Sequence, residues 1–189
     1  MEIDRNDIQQ AVATLRRGGL ILYPTDTVWG IGCDATNSEA VRRVFSLKQR
    51  ADSKSLIVLV GDEASLERTV ADVPDVAFEL IEVSDRPVTV VYDKGVGLAP
   101  EVTAADGSVA VRVTSEEISR RLCRAFGRPL VSTSANISGT PTPDVFSRIA
   151  PEILNGVDYV MLQGRDLPPA KPSIIIKISS DSSFKIIRK

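Results

Sequence analysis

The chain has 189 residues, 43% of them hydrophobic and 25% charged, with a formal net charge of −2; that is an ordinary globular composition with enough apolar mass for a core. It contains no histidine, which excludes Ser-His-Asp and Cys-His nucleophilic sites, histidine-ligated zinc and imidazole acid–base chemistry. Slight acidity gives no global attraction to nucleic acid, so binding of phosphates requires a local concentration of basic residues. No run approaches the ~18 apolar residues of a membrane span. The charged start, Met1 to Arg5, lacks a signal-type segment, so a cytoplasmic protein with no membrane partner is expected.

In chain order, Asp4 to Arg17 reads as a helix with Asp4 or Asn6 as cap and Gly18-Gly19 as stop. Leu20 to Tyr23 is a short apolar strand ended by Pro24, and Val28 to Cys33 leads into a second. Asn37 or Ser38 caps a helix to about Leu47, and Leu56 to Val60 is a continuously apolar strand, hence buried on both faces. Weaker helices follow at Glu63–Val70 and Val76–Val83, then strands at Pro87–Tyr92 and Ser108–Val113. Glu116 to Phe126 is an amphipathic helix, and Leu130-Val131 leads into a polar loop. A helix from Pro143 or Asp144 toward Ala150, strands at Tyr159–Leu162 and Ser173–Ile178, and a closing stretch Phe184–Ile187 complete the chain. With no repeat or linker, these elements predict one domain over residues 1–189, α/β with a mixed sheet. Cys33 and Cys123 have no metal-type spacing and are expected to be buried thiols.

Four stretches hold candidate chemistry. Ser132-Thr133-Ser134-Ala135-Asn136-Ile137-Ser138-Gly139 offers hydroxyls, an amide and backbone N–H groups, which suit a phosphate or carboxylate. The alternative is a loop that satisfies its own backbone through Asx and ST turns. In extended backbone Ser132, Ser134 and Asn136 would aim one way, toward a ligand, and Thr133 and Ala135 toward the protein. Lys48 and Arg50, beside Lys54, either complement a helix dipole or present a point charge and a bidentate fork to an anion. Thr25, Asp26 and Thr27 project where a strand has just ended, with Trp29-Gly30 beyond as an aromatic wall and a place of close backbone approach. Arg112 is a charge within a strand pattern, facing either solvent or a site.

Taken together, Tyr23 to Cys33, Leu47 to Arg50, Val109 to Val113 and Ser132 to Gly139 closely resemble the YrdC/TsaC family of L-threonylcarbamoyladenylate synthases, in its short single-domain form. The resemblance implies a YrdC-like open twisted mixed sheet flanked by helices, around a concave, positively charged cavity. It implies a nucleotidyltransferase that forms threonylcarbamoyl-AMP and pyrophosphate from L-threonine, bicarbonate or CO2, and ATP, with Mg²⁺ accompanying the ATP and no protein metal site. The product would serve t6A modification of tRNA through a downstream transferase machinery. The family's Lys-x-Arg and Ser-x-Asn tetrad is matched by Lys48, Arg50, Ser134 and Asn136, with Lys48 and Arg50 as the catalytic pair. Thr25 and Thr27 match positions against threonine and nucleotide, Ser132 and Arg112 match the nucleotide lining, and Ser173 lies in a segment that closes over the cavity. Two departures stand out: Asp85-Arg86-Pro87 replaces Pro-Gly-Pro, and Lys54-Ser55-Leu56 replaces Lys-Pro-Leu. The competing readings are a module binding double-stranded RNA and a paralogue whose substrate has drifted.

Overall fold

Side-chain caps set the helices where the sequence places them. In the computed structural model, which describes residues 3–49, 56–168, 170–181 and 183–188, Asp4 accepts from the Asn6 amide at 2.8 Å to start α1 (Arg5–Arg16). Asn37 accepts from the Glu39 and Ala40 amides to start α2 (Ser38–Lys48). Asp62 and Glu116 do the same for α3 (Glu63–Thr69) and α5 (Glu117–Phe126). Each such cap is worth about 1 kcal/mol. The remaining helices are α4 (Asp75–Val83) and α6 (Pro151–Gly156).

Strands β1 (Ile21–Tyr23), β2 (Gly30–Gly32), β3 (Ile57–Val60), β4 (Val88–Tyr92), β5 (Val109–Val113), β6 (Leu130–Ser134), β7 (Tyr159–Val160), β8 (Ile174–Ile178) and β9 (Phe184–Arg188) form one sheet. Its order is β7-β1-β2-β6-β3-β5-β4-β8-β9. The β1–β7, β3–β5 and β4–β8 pairs are parallel and the rest antiparallel, so the expected mixed α/β sheet is observed.

Alternation along the strands builds two cores. Leu22, Ile31, Val58, Val60, Val111 and Val131 face α2, α3, α4 and α6. Ile21, Tyr23, Leu59 and Leu130 face α1 and α5. Full burial of each such side chain is worth about 1.5–3 kcal/mol. On the second face the helices cover only part of the sheet. The cross-strand pairs Gly30↔Ser134, Ile57↔Ser132 and Ile57↔Ala110 continue that face beyond them. Both cysteines are buried free thiols, and burial pushes both well above the usual thiol range. No helix among the described residues is long and apolar enough to cross a membrane.

Two expected elements differ. Residues 143–150 form no α-helix; a 3-10 turn covers Phe146–Arg148 and the helix begins at Pro151. Pro151 holds Ala150 extended at ψ 142° and itself fits the first helical turn. The strand expected at Tyr159–Leu162 stops at Val160. The Met161 amide still donates to the Leu22 carbonyl at 2.9 Å, but the following ones turn to buried Asp7: Leu162 and Gln163 donate to Oδ2 at 3.0 Å, and the Tyr159 hydroxyl donates to Oδ1 at 2.6 Å.

Burial works against the charge on Asp7, but the Tyr159, Gln163 and Leu162 hydrogen bonds outweigh it and leave its carboxyl below the usual 3.8. A folded value below the unfolded one means the contribution is complete above about pH 4 and is lost as pH falls through the folded value. Asp7→Asn is expected to cost about 2 kcal/mol in urea unfolding at neutral pH. The gap from the parent should narrow on acidification; a gap independent of pH would contradict the clamp.

Candidate active site

The part of the α1/α5 face that carries Gly30, Ser132 and Ser134 is bordered by three loops. The first, Pro24 to Trp29, joins β1 to β2. Thr25 organises it: its hydroxyl donates to the Val28 carbonyl at 2.7 Å, lies 3.1 Å from the Thr27 hydroxyl and accepts from the Thr27 amide at 3.1 Å. Glycine at position 30 lets the loop pack directly on the strand. A Cβ there would lie 3.3 Å from Thr25 Cγ2 and 3.5 Å from Ser132 Oγ, which shows that loop and strand meet over this residue. Two residues on, a Cβ at Gly32 would meet the Tyr23 ring at 2.6 Å, so the second glycine makes room for a core side chain.

The second border is the end of α2. Gln49 adopts φ 49°, ψ 42°, a left-handed conformation uncommon for a residue with a side chain, and it ends the helix just after Lys48. Lys48 is 1% exposed. Its ammonium donates to the Ser134 carbonyl and, at 2.6 Å, to the Asn136 carbonyl, while its own carbonyl accepts from the Ser138 amide at 2.8 Å. The helix end is thus fastened to the third border, the Ser132–Gly139 loop.

In that loop the side chains alternate between faces as far as Ser134, although Ser132 is buried and Thr133 half-buried. Ser132 and Ser134 share the face of Gly30, Thr133 pairs with Ile31 on the other side, and Ala135 is fully buried. Asn136 departs from it. Its Oδ1 accepts from the Ser134 hydroxyl at 2.5 Å, and its Nδ2 donates to the Ile137 and Thr140 carbonyls at 3.0 and 2.7 Å. The amide therefore shapes the turn, and the self-satisfying alternative describes this part of the loop.

Arg112 is 4% exposed, so it does not face solvent. Its Nε lies 3.0 Å from Asp26 Oδ1 in a buried ion pair, and its Nη2 reaches the Thr27 hydroxyl at 3.5 Å. Burial pushes the Asp26 carboxyl up from its ordinary value, against the pull of Arg112 and of the Ser115 amide and Thr114 hydroxyl. Ser173 is also buried. It accepts from the Thr89 hydroxyl at 3.0 Å and from Arg188 Nη2 at 3.1 Å, which fastens the start of β8 to β4 and β9.

Arg50 lies outside the described residues, as do Lys54 and Ser55, so the expected positive cavity rests on side chains beyond this description. Arg86, where the family has glycine, donates to the Pro172 carbonyl at 3.1 Å. A cavity of about 570 Å³ lies elsewhere, at the C-terminal ends of β3 and β5, lined by Asp62, Arg86, Thr114, Arg120 and Arg124 among others. Such a crevice between parallel strands is a common ligand position in open sheets. Here, however, Arg124 pairs with Asp62 at 3.2 Å and Arg120 with Glu117, and none of the site residues named by the sequence lines it. Sequence reasoning missed Thr89 and Arg188, for which no local signal exists, and did not single out Asp26 from its two threonine neighbours.

Hydroxyl side chains and two buried cations, Lys48 and Arg112, thus gather around Gly30 on one part of a mixed α/β sheet. The chain belongs to the Sua5/YciO/YrdC family, whose sequence model, described as telomere recombination, matches residues 13–189. It is 39% identical over 157 residues to a threonylcarbamoyl-AMP synthase of Stenotrophomonas maltophilia, covering 82% of this chain and 84% of that one. It is 36% identical over 186 residues to the threonylcarbamoyl-AMP synthase of Chromohalobacter salexigens, covering 98% and 100%. Among solved structures it resembles P. abyssi Sua5 complexed with L-threonine, with a TM-score of 0.84 and 28% identity over 94% of this chain. It spans about half of that chain, 52%.

Replacing Lys48 by Met keeps the apolar stem but removes the ammonium from beneath two carbonyls. Chemical denaturation is expected to show a loss of about 2–3 kcal/mol; unchanged stability would contradict the clamp.

Proposed function

We propose that this chain is a cytoplasmic L-threonylcarbamoyladenylate synthase. The observation that carries the reading is the convergence of Thr25, Thr27, Gly30, Ser132 and Ser134 on one part of the sheet face, in a chain whose relatives are named threonylcarbamoyl-AMP synthases. The threonine amine adds to CO2 with loss of a proton, or to bicarbonate with loss of water, to give a carbamate, and a carbamate oxygen then attacks the α-phosphorus of ATP, expelling pyrophosphate. No step needs histidine. Such displacements gain chiefly from positioning and charge neutralisation.

Thr25 and Thr27 orient threonine, while Ser132 and Ser134 donate to phosphate oxygens. Arg50 supplies the guanidinium fork to the carbamate and α-phosphate. Lys48, fastened to the loop carbonyls, acts from beneath: its buried charge favours an anion over the Ser134–Asn136 backbone. Asn136 holds that backbone in shape. Arg112 and Ser173 support the floor and the rim of the site. Mg²⁺ comes with ATP. The hydroxyl and carbonyl oxygens around this part of the face are the hard donors it accepts, alone or through its waters, and it would neutralise phosphate charge. The adenylate then passes to a transferase that acts on tRNA.

The test is incubation with ATP, Mg²⁺, bicarbonate and a panel of amino acids, following pyrophosphate release. Release should depend on threonine and bicarbonate, and Arg50→Ala should lower it by orders of magnitude, since one lost charged contact costs about 2–4 kcal/mol of transition-state stabilisation. Gly30→Val, which fills the floor beneath Thr25 and Ser132, is expected to cut turnover at least about tenfold in a protein that still folds. Release that ignores the amino acid would overturn the substrate assignment.

A further inference from the structure

The Pro24–Trp29 loop must cross a wide stretch of sheet. It leaves β1 and returns to β2, yet its tip touches β5, three strands beyond β2 in the order β1-β2-β6-β3-β5. Hydrogen bonds within the loop involve only Thr25, Thr27 and Val28 and fix its shape, not its place over the sheet. At the base of the loop the Ala135 amide holds the Trp29 carbonyl at 3.0 Å; at its tip the contact that reaches β5 is Asp26 against Arg112, with each side chain 4% exposed.

We propose that Asp26 is a positioning residue of this site: it holds Arg112 and, through it, Thr27, so that the loop hydroxyls stand over Gly30 and Ser132. The inference rests on the proposed reaction for its kinetic readout. Asp26 itself is sealed from the open face, so it does not touch substrate. The pair is an ion pair without aligned hydrogen bonds: neither carboxylate oxygen, nor Arg112 Nε, meets hydrogen-bond geometry among the described residues. Its contribution is therefore charge and distance, which an amide of the same shape cannot supply. Removing the charge leaves a buried guanidinium uncompensated. The strand holds Arg112 in register opposite Leu59, so the loop is the part that shifts. A shift of about 1 Å in groups that orient a reactant is enough to lower turnover severely.

The experiment compares Asp26→Asn, Asp26→Glu, Arg112→Gln and the Asp26→Asn/Arg112→Gln double variant in the full chain. Amide hydrogen exchange across residues 24–29 is measured alongside threonine-dependent pyrophosphate release. Asp26→Asn should exchange about tenfold faster across the loop and raise the KM for threonine about tenfold, with kcat falling too. Asp26→Glu, which keeps the charge, should recover most of both. The double variant should be no worse than the poorer single one. Three results would each overturn the proposal: unchanged loop exchange in Asp26→Asn, no recovery in Asp26→Glu, or losses that multiply in the double variant. If Asp26→Asn does not fold, Asp26→Glu and Arg112→Gln carry the same comparison, and loop exchange unchanged in Arg112→Gln counts against it. Absence of pyrophosphate release by the parent protein would defeat the proposed reaction, while the exchange comparison would still decide the role of Asp26.

Discussion

A buried ammonium group holds the site together. Lys48 ends α2 with its side chain 1% exposed, and carbonyl oxygens of Ser134 and Asn136 receive its protons. Taking an ammonium out of water costs several kcal/mol unless fixed dipoles replace its hydration, so these carbonyls cannot move away without leaving the charge uncompensated. The consequences spread outward. The Ser138 amide returns a hydrogen bond to the Lys48 carbonyl, and the Ala135 amide donates to the Trp29 carbonyl at 3.0 Å. Helix end, β6 loop and β1–β2 loop are therefore one connected frame. The left-handed Gln49 is the local strain within it, and strain of this kind persists where surrounding contacts over-determine the backbone.

The frame encloses a site because the sheet is covered unevenly. α1 and α5 bury Ile21, Tyr23, Leu59 and Leu130, and beyond them the same face carries Gly30, Ser132 and Ser134 instead of large apolar residues. A hydrophobic side chain at any of these positions would have been a candidate for core. Small and hydroxylated ones leave a polar floor close to backbone, which suits a ligand rich in oxygen. The positive charges nearby are buried at the margins, Lys48 under one loop and Arg112, paired with Asp26, under another. There they polarise the site without being spent on solvent.

Local rules made much of this legible from residues alone. Capping by Asp4 and Asn37, the continuous apolar run of β3 and the period-two placement of Ser132 and Ser134 all follow from nearest neighbours in sequence. What escaped depends on partners distant in the chain. Arg112 read as a solvent-facing or ligand-facing charge because nothing near it in sequence announces Asp26. Lys48 read as either a helix-end cation or an anion-binding one, and the carbonyls of β6 and its loop that hold it had no local signal. Asn136 lost the alternation because its amide found the Ile137 and Thr140 carbonyls as the backbone turned at the end of β6. Asp7 shortened β7 by drawing its amides across from α1. In each case a polar group was bound to be satisfied, and only the fold determined by what.

The most direct test of the polar face around Gly30 as the reacting site is a crystal structure of the protein with ATP, Mg²⁺ and L-threonine. The phosphates are expected over Ser132 and Ser134, with threonine beside Thr25 and Thr27 and the Arg112–Asp26 pair intact beneath. Nucleotide bound instead in the cavity at the ends of β3 and β5, among Arg86, Arg120 and Arg124, would contradict the account.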